Sequence, residues 1–254
     1  MRSDPEKWVP SNIGFGSICE IAYSIGRYKP SDGTWQRFAP PGGLPDPPVE
    51  IAFSGDGAVW FTMRRQTGNP GLGRLNPTTG LFDLWINPYA GIFNPFGITV
   101  MGGEVWFMDH SANLLVRFNP ASSTFTTYST LPDIRDAHFL LSDPQGNLWT
   151  AGYVSATIGR FKPSSGEFAH VHLSNLLSHP MGIARSPAGD IWCAETFDAW
   201  TGVIARFTPV VIQNVPVLTP WPMVLVVVLI GAGGLRYLLQ GRSKKLCRRP
   251  DGWG

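Results

Sequence analysis

Four tryptophans constrain this chain more than any other feature. Trp60, Trp106, Trp149 and Trp192 are separated by 46, 43 and 43 residues. Each follows a glycine-bearing turn, in GDGAVW, GGEVW, QGNLW and AGDIW. Downstream of each come an apolar residue, a smaller residue and an arginine: Leu72-Gly73-Arg74, Leu115-Val116-Arg117, Ile158-Gly159-Arg160 and Ile204-Ala205-Arg206. RLNPTTG, RFNPASS, RFKPSSG and RFTP then follow in register. An earlier copy reads Ile25-Gly26-Arg27 and YKPSDG, with Cys19 expected in the tryptophan position. Five copies make a repeat, and a period of about 40–45 residues suits the four-stranded blades of a β-propeller.

Each copy holds four short apolar runs divided by turn signals, at 49–54, 58–63, 72–76 and 81–86 in the second. Proline early and glycine late in NPTTG fit a hairpin loop. The 29 glycines and 23 prolines fall inside the units and exclude a helical solenoid. The expectation is an all-β propeller of five visible four-stranded blades, at about 8–40, 44–88, 91–131, 133–174 and 177–213. The last lacks an obvious fourth strand unless 210–215 supplies it. The tryptophans and small-Arg pairs read as packing and inter-blade hydrogen-bond devices. Function then belongs on loops near the central channel, where equivalent positions converge.

The net charge of +2 hides an uneven distribution. Arg236, Arg242, Lys244, Lys245, Arg248 and Arg249 crowd the end, and residues 1–214 carry 14 basic and 17 acidic side chains. A body with no basic surplus is not built for nucleic acid. Cys19, Cys193 and Cys247 contain no CxxC pair and cannot make a disulfide framework. There is no P-loop, GxGxxG or GxSxG.

From Val215 the character changes. The apolar run 223–235, extended through Tyr237–Leu239 with Arg236 snorkelling, makes a marginal transmembrane helix. The basic cluster after it would stay cytoplasmic, with the propeller outside. Val215-Pro216-Val217-Leu218-Thr219-Pro220-Trp221, the apolar run and the arginines together resemble the bacterial sorting signals called IPTL-CTERM. That resemblance implies export to the envelope or surface of a Gram-negative bacterium, a membrane anchor, and processing by a sorting protease of exosortase type. Residues 1–16 hold no apolar run of seven or more, so the matching export signal is expected upstream, or the chain is a fragment.

GDGAVWFT followed by LGRLNPTTGLFDLW resembles the streptogramin lyase (virginiamycin B lyase) family, from about residue 13 to 208. The resemblance implies a seven-bladed propeller, two blades more than are visible. It also implies elimination that opens a cyclic depsipeptide-type ester. A general base, usually histidine, takes a proton beside a carbonyl. A divalent cation such as Mg2+ polarises that carbonyl. The family motif is carboxylate-Pro-His-Gly-Ile, with a further Glu just after a blade tryptophan. Aligned from the tryptophans, the histidine position holds Val49, Phe96, His138 and Met181. The implied base is therefore His138, and the implied metal carboxylate is Asp136, with Ala137 in place of the proline. The two, spaced i, i+2, are expected on one side of an extended segment. Thr-Ala-Gly-Tyr follows Trp149, so the second metal carboxylate is sought in Glu195 of WCAE, with Asp109 of WFMDH as its counterpart.

Asp109, His110 and His179 are further candidates to line the channel. Each candidate also has a plain structural reading. Asp136–His138 reads as a hydrogen-bonded loop pair, Glu195 as an inter-blade bond, and Asp109–His110 as a solvated turn. His170 and His172 alternate on an expected outermost strand and read as surface. Three functions stand: a lyase-like enzyme using a divalent ion, a non-catalytic module binding a small molecule or protein at the cell surface, and a cytosolic scaffold if the tail is structural.

Overall fold

A computed structural model describes residues 7–11, 23–64, 71–86, 94–173, 178–196 and 202–207. The described residues are all β, without a helix, and form a β-propeller. Five antiparallel sheets follow one another along the chain. The first holds β1 (Lys7–Ser11), β2 (Ser24–Lys29) and β3 (Thr34–Phe38). The second holds β4 (Pro48–Phe53), β5 (Val59–Met63), β6 (Gly71–Leu75) and β7 (Phe82–Ile86). The third holds β8 (Pro95–Met101), β9 (Glu104–Asp109), β10 (Leu114–Asn119) and β11 (Thr124–Ser129). The fourth holds β12 (Ala137–Ser142), β13 (Leu148–Gly152), β14 (Thr157–Lys162) and β15 (Glu167–His172). The fifth holds β16 (His179–Arg185), β17 (Ile191–Thr196) and β18 (Gly202–Phe207). The innermost strands β4, β8, β12 and β16 lie side by side in that order.

The first copy departs from expectation. β1 pairs with β2 so that Trp8 faces Arg27, the register in which Trp60 faces Arg74. Trp8 therefore takes the repeat's tryptophan position, and Cys19 does not. A longer β1–β2 connection hid the match. Cys19 lies outside the described residues, as do a fourth strand at 210–215, the transmembrane helix and the sorting signal. The chain divides into two units, Met1–Pro209 and Val210–Gly254, and the second is wholly outside the described residues. Among the described residues, no helix is long and apolar enough to cross a membrane.

The core is a series of seams between successive sheets. One seam joins Trp60 and Leu72 to Ile98, Val105, Phe107, Val116 and Phe118. The next joins Trp106, Met108 and Leu115 to Ile134, Ala137, Leu140, Leu148 and Phe161. All five residues of β5 are buried, which is why four of the five in Val-Trp-Phe-Thr-Met are apolar. Alternation sends Trp60 toward the third sheet and Val59, Phe61 and Met63 toward the first. Thr62, on the Trp60 side, donates its hydroxyl to the Phe96 carbonyl of the third sheet at 2.7 Å. Burying a side chain as large as Trp106 contributes enough that truncation to alanine costs about 3–5 kcal/mol.

The repeated arginine works within its own blade, not between blades. Arg74, Arg117, Arg160 and Arg206 each lie 5.8–5.9 Å from the centroid of the tryptophan opposite. Arg74 also pairs with Asp56 at 2.9 Å and Asp83 at 3.3 Å, and Arg117 with Glu104 at 2.7 Å. The small residue before Arg74 has a steric cause. A Cβ on Gly73 would stand 2.1 Å from Cζ of Phe61.

Candidate functional site at the inner strands of the third and fourth sheets

Each inner strand from β4 to β16 carries a register shift near its start. A bulge re-aims the side chain it bears. The shifted stretches contain Val49, Phe96, His138 and Met181, so the repeat sets one side chain per sheet at an equivalent place. Only the fourth sheet sets a histidine there.

Asp136 immediately precedes β12 with φ +54°, a left-handed conformation that aspartate tolerates. Its N–H donates to Asn113 Oδ1 at 2.8 Å, and its carbonyl accepts the Tyr153 N–H at 3.2 Å. Held in this way, Asp136 Oδ1 accepts from His110 Nδ1 at 2.8 Å and from His138 Nε2 at 3.1 Å. Asp136 and His138 do meet, but not by strand alternation. The left-handed turn and the bulge bring them together. A carboxylate only accepts, so both facing nitrogens carry hydrogen. With the tautomer assigned from these partners, neutral His138 keeps its lone pair on Nδ1. The His110, Asp136 and His138 side chains are 22%, 30% and 19% exposed, shielded yet reachable.

Aromatic rings wall this cluster across three sheets. Phe96 stacks on His138 at 5.1 Å between centroids, and His138 on Tyr153 at 5.6 Å with 1° between planes. Tyr153 stacks on His179 at 4.5 Å, and His179 Nδ1 donates to the Tyr153 carbonyl at 3.0 Å. His110 meets Phe96 edge-on at 5.6 Å. His179 thus ends the stack and stands outside the cluster.

Asp109 and Glu195 do other work. Asp109 is fully buried, not part of a solvated turn. Its carboxylate accepts the Asn94 N–H at 3.0 Å and the Ala112 N–H at 2.9 Å. It thereby shapes the β9–β10 loop that presents His110 and Asn113. Glu195 is 5% exposed and accepts the Ser178 hydroxyl at 2.7 Å. That bond lies within its own blade, not between blades. Asn94 and Ser178 each come just before an inner strand, so the carboxylate after the blade tryptophan anchors the start of that strand. The ligand cluster among the described residues comprises His110, Asp136 and His138 and does not include Glu195. In the fourth sheet the anchoring position is Gly152, paired with Ala137. A Cβ there would stand 2.3 Å from Ser155 Oγ and 2.6 Å from Thr157 Oγ1, which leaves no room for a carboxylate.

His170 and His172 lie on the outer strand β15 and are exposed, as the sequence suggested. Cys193 is buried, and desolvation together with the nearby Glu195 charge pushes its thiol up to about 12. It is no nucleophile. Sequence reading missed Glu50, which stands where β8 has Gly97 and β16 has Gly182. Its carboxylate accepts the Ile98 N–H of the third sheet, while Oε2 is buried without a hydrogen-bond partner. Burial pushes this carboxyl up to about 7, with the Ile98 bond opposing. A carboxylate inside the run Val49-Glu50-Ile51-Ala52-Phe53 was the available signal.

Three donor atoms, one from each residue of the cluster, lie within 4.8 Å of one another. Two imidazoles and one carboxylate do not suit Mg2+, which takes oxygen ligands in octahedral geometry and holds most of its water. This donor set differs from the two carboxylates, Asp136 and Glu195, that the family resemblance implied for a divalent ion.

No family model and no curated protein sequence matches this chain. Solved structures do. A catalytically inactive histidine-to-alanine variant of virginiamycin B lyase from Staphylococcus aureus, with quinupristin, is similar at 20% identity and TM-score 0.59, over 81% of this chain and 76% of that one. A streptogramin B lyase is similar at 19% identity and TM-score 0.60, over 80% and 72%. A protein described as a putative gluconolactonase follows at 16% identity and TM-score 0.52, over 67% and 63%. These likenesses establish a common β-propeller fold.

Proposed function

We propose that this propeller acts on a small cyclic ester by elimination, with His138 as the general base. The observation that carries the reading is the Asp136–His138 bond at 3.1 Å on the bulged start of β12. Asp136 fixes the imidazole and stabilises the imidazolium that proton uptake creates. His138 takes a proton from the carbon beside a carbonyl through Nδ1. The electron pair forms a carbon–carbon double bond, the neighbouring carbon–oxygen bond breaks, and the ester leaves as a carboxylate. The product is an isomer of the substrate. Phe96 and Tyr153, both stacked on His138, shield the imidazole and hold its plane. Similarity to streptogramin B lyases supports a depsipeptide-type ester as the first substrate to try.

The test is incubation with a streptogramin B antibiotic, followed by chromatography and mass spectrometry. A product of unchanged mass and altered retention is expected, with loss of about 10²–10⁴-fold in rate for His138→Ala. Equal rates in the two proteins would sink the base assignment. One feature favours a second reading, a propeller that binds without reacting: Gly152 leaves the fourth sheet no second carboxylate. Saturable binding of the antibiotic without product would favour it.

A further inference from the structure

We propose that His110, Asp136 and His138 form a site for a borderline divalent transition ion, of which Zn2+ is the representative. Two imidazole nitrogens and one carboxylate oxygen suit such ions, and affinity for a mixed nitrogen–oxygen site rises toward the later transition metals. The geometry is close to that of a bound ion. Ligand atoms at 2.0–2.2 Å from a tetrahedral ion stand about 3.3 Å apart. The Asp136 oxygen is already 2.8 Å from His110 Nδ1 and 3.1 Å from His138 Nε2, and all three donor atoms lie within 4.8 Å of one another, so an ion would take the place of the two hydrogens as the carboxylate opens and the imidazoles draw in. Three protein ligands with partial exposure leave a coordination position for water or substrate. The carboxylate is pre-set by an outer layer, since Asn113 and Tyr153 hold the Asp136 backbone.

The inference deepens the elimination reading without needing it. Coordination takes the Nε2 lone pair, so the hydrogen of neutral His138 moves to Nδ1 and the base is removed. Ion occupancy and proton abstraction by His138 therefore exclude one another, and the ion would act as an inhibitor of that step.

The experiment is calorimetric titration of the metal-free full chain with Zn2+ and separately with Mg2+, backed by the visible absorption of the Co2+ form. One equivalent of Zn2+ is expected, with Mg2+ bound far more weakly. Asp136→Asn, His110→Ala and His138→Ala are each expected to weaken Zn2+ by more than about 100-fold, since even losses around the ligands cost about 10–100-fold. His170→Ala with His172→Ala controls for the surface pair, whose rings are 5.2 Å apart, and is expected to leave the affinity unchanged. Circular dichroism checks that each variant is folded. Zn2+ affinity untouched by all three ligand substitutions, or abolished by the surface pair, overturns the proposal. So does Mg2+ binding at equal strength. Zn2+ binding together with no ester elimination by the metal-free protein leaves this site standing and removes the lyase reading, and elimination by the metal-free protein without Zn2+ binding does the reverse.

Discussion

Glu50 is the residue whose chemistry is most exposed to test. In an unfolded chain its carboxyl loses its proton near the ordinary value of 4.5, whereas burial holds it protonated to about 7 in the fold. A raised carboxyl contributes its full stability below the unfolded value and loses it as pH climbs through the folded one. Stability should therefore decline between about pH 4.5 and 7, by roughly 3 kcal/mol at most. Urea melts at pH 5 and pH 8 should differ less in Glu50→Gln than in the parent, and an unchanged difference would refute this. At the same scale, His138 was legible because a motif pointed to it. His110 was legible only as a candidate to line the channel; its bond to Asp136 was not, because Asp136 is 26 residues away and belongs to the next sheet. No local pattern announces a contact made across a seam.

At the scale of elements, four of the five blade cores were readable from alternation and turn chemistry, and the strands of the second copy fall within a residue of their expected bounds. The first copy hides its tryptophan because residues 12–23 separate β1 from β2, where the other blades have a shorter connection. The bulges of the inner strands left no trace in composition, so strand alternation was the expected cause of the Asp136–His138 contact, whereas a left-handed turn and a bulge produce it. The carboxylate anchor was misread too. Its position is common to several blades, and only the hydrogen bonds to Asn94 and Ser178 reveal that it fixes the start of a strand. This makes a prediction for the fourth sheet. Gly152→Glu, which would place here the carboxylate that Asp109 and Glu195 supply in their own sheets, should destabilise the fold by about 1–3 kcal/mol through crowding of Ser155 and Thr157. Thermal melting checks it, and a variant as stable as the parent with faster ester elimination would reverse the conclusion.

At the scale of the whole molecule, the repeat supplies a scaffold, and the fourth copy departs from it by setting His138 where the other described inner strands have Val49, Phe96 and Met181. We also propose that the segment after Val215 tethers the propeller to a membrane, on the strength of its apolar run and basic cluster. Placing arginine at Val226 and at Leu229 in the full chain should release it from the membrane fraction, because each charge at a helix centre costs about 2.5–3.5 kcal/mol. Retention in the membrane fraction would contradict the tether. The seam between the third and fourth sheets has a last consequence. His110 comes from one side of it and Asp136 and His138 from the other. A chain with every hairpin formed but the blades undocked would carry all three residues and have no site. The cluster therefore depends on the docking of two blades, and a small opening between them, far short of unfolding, is enough to take it apart.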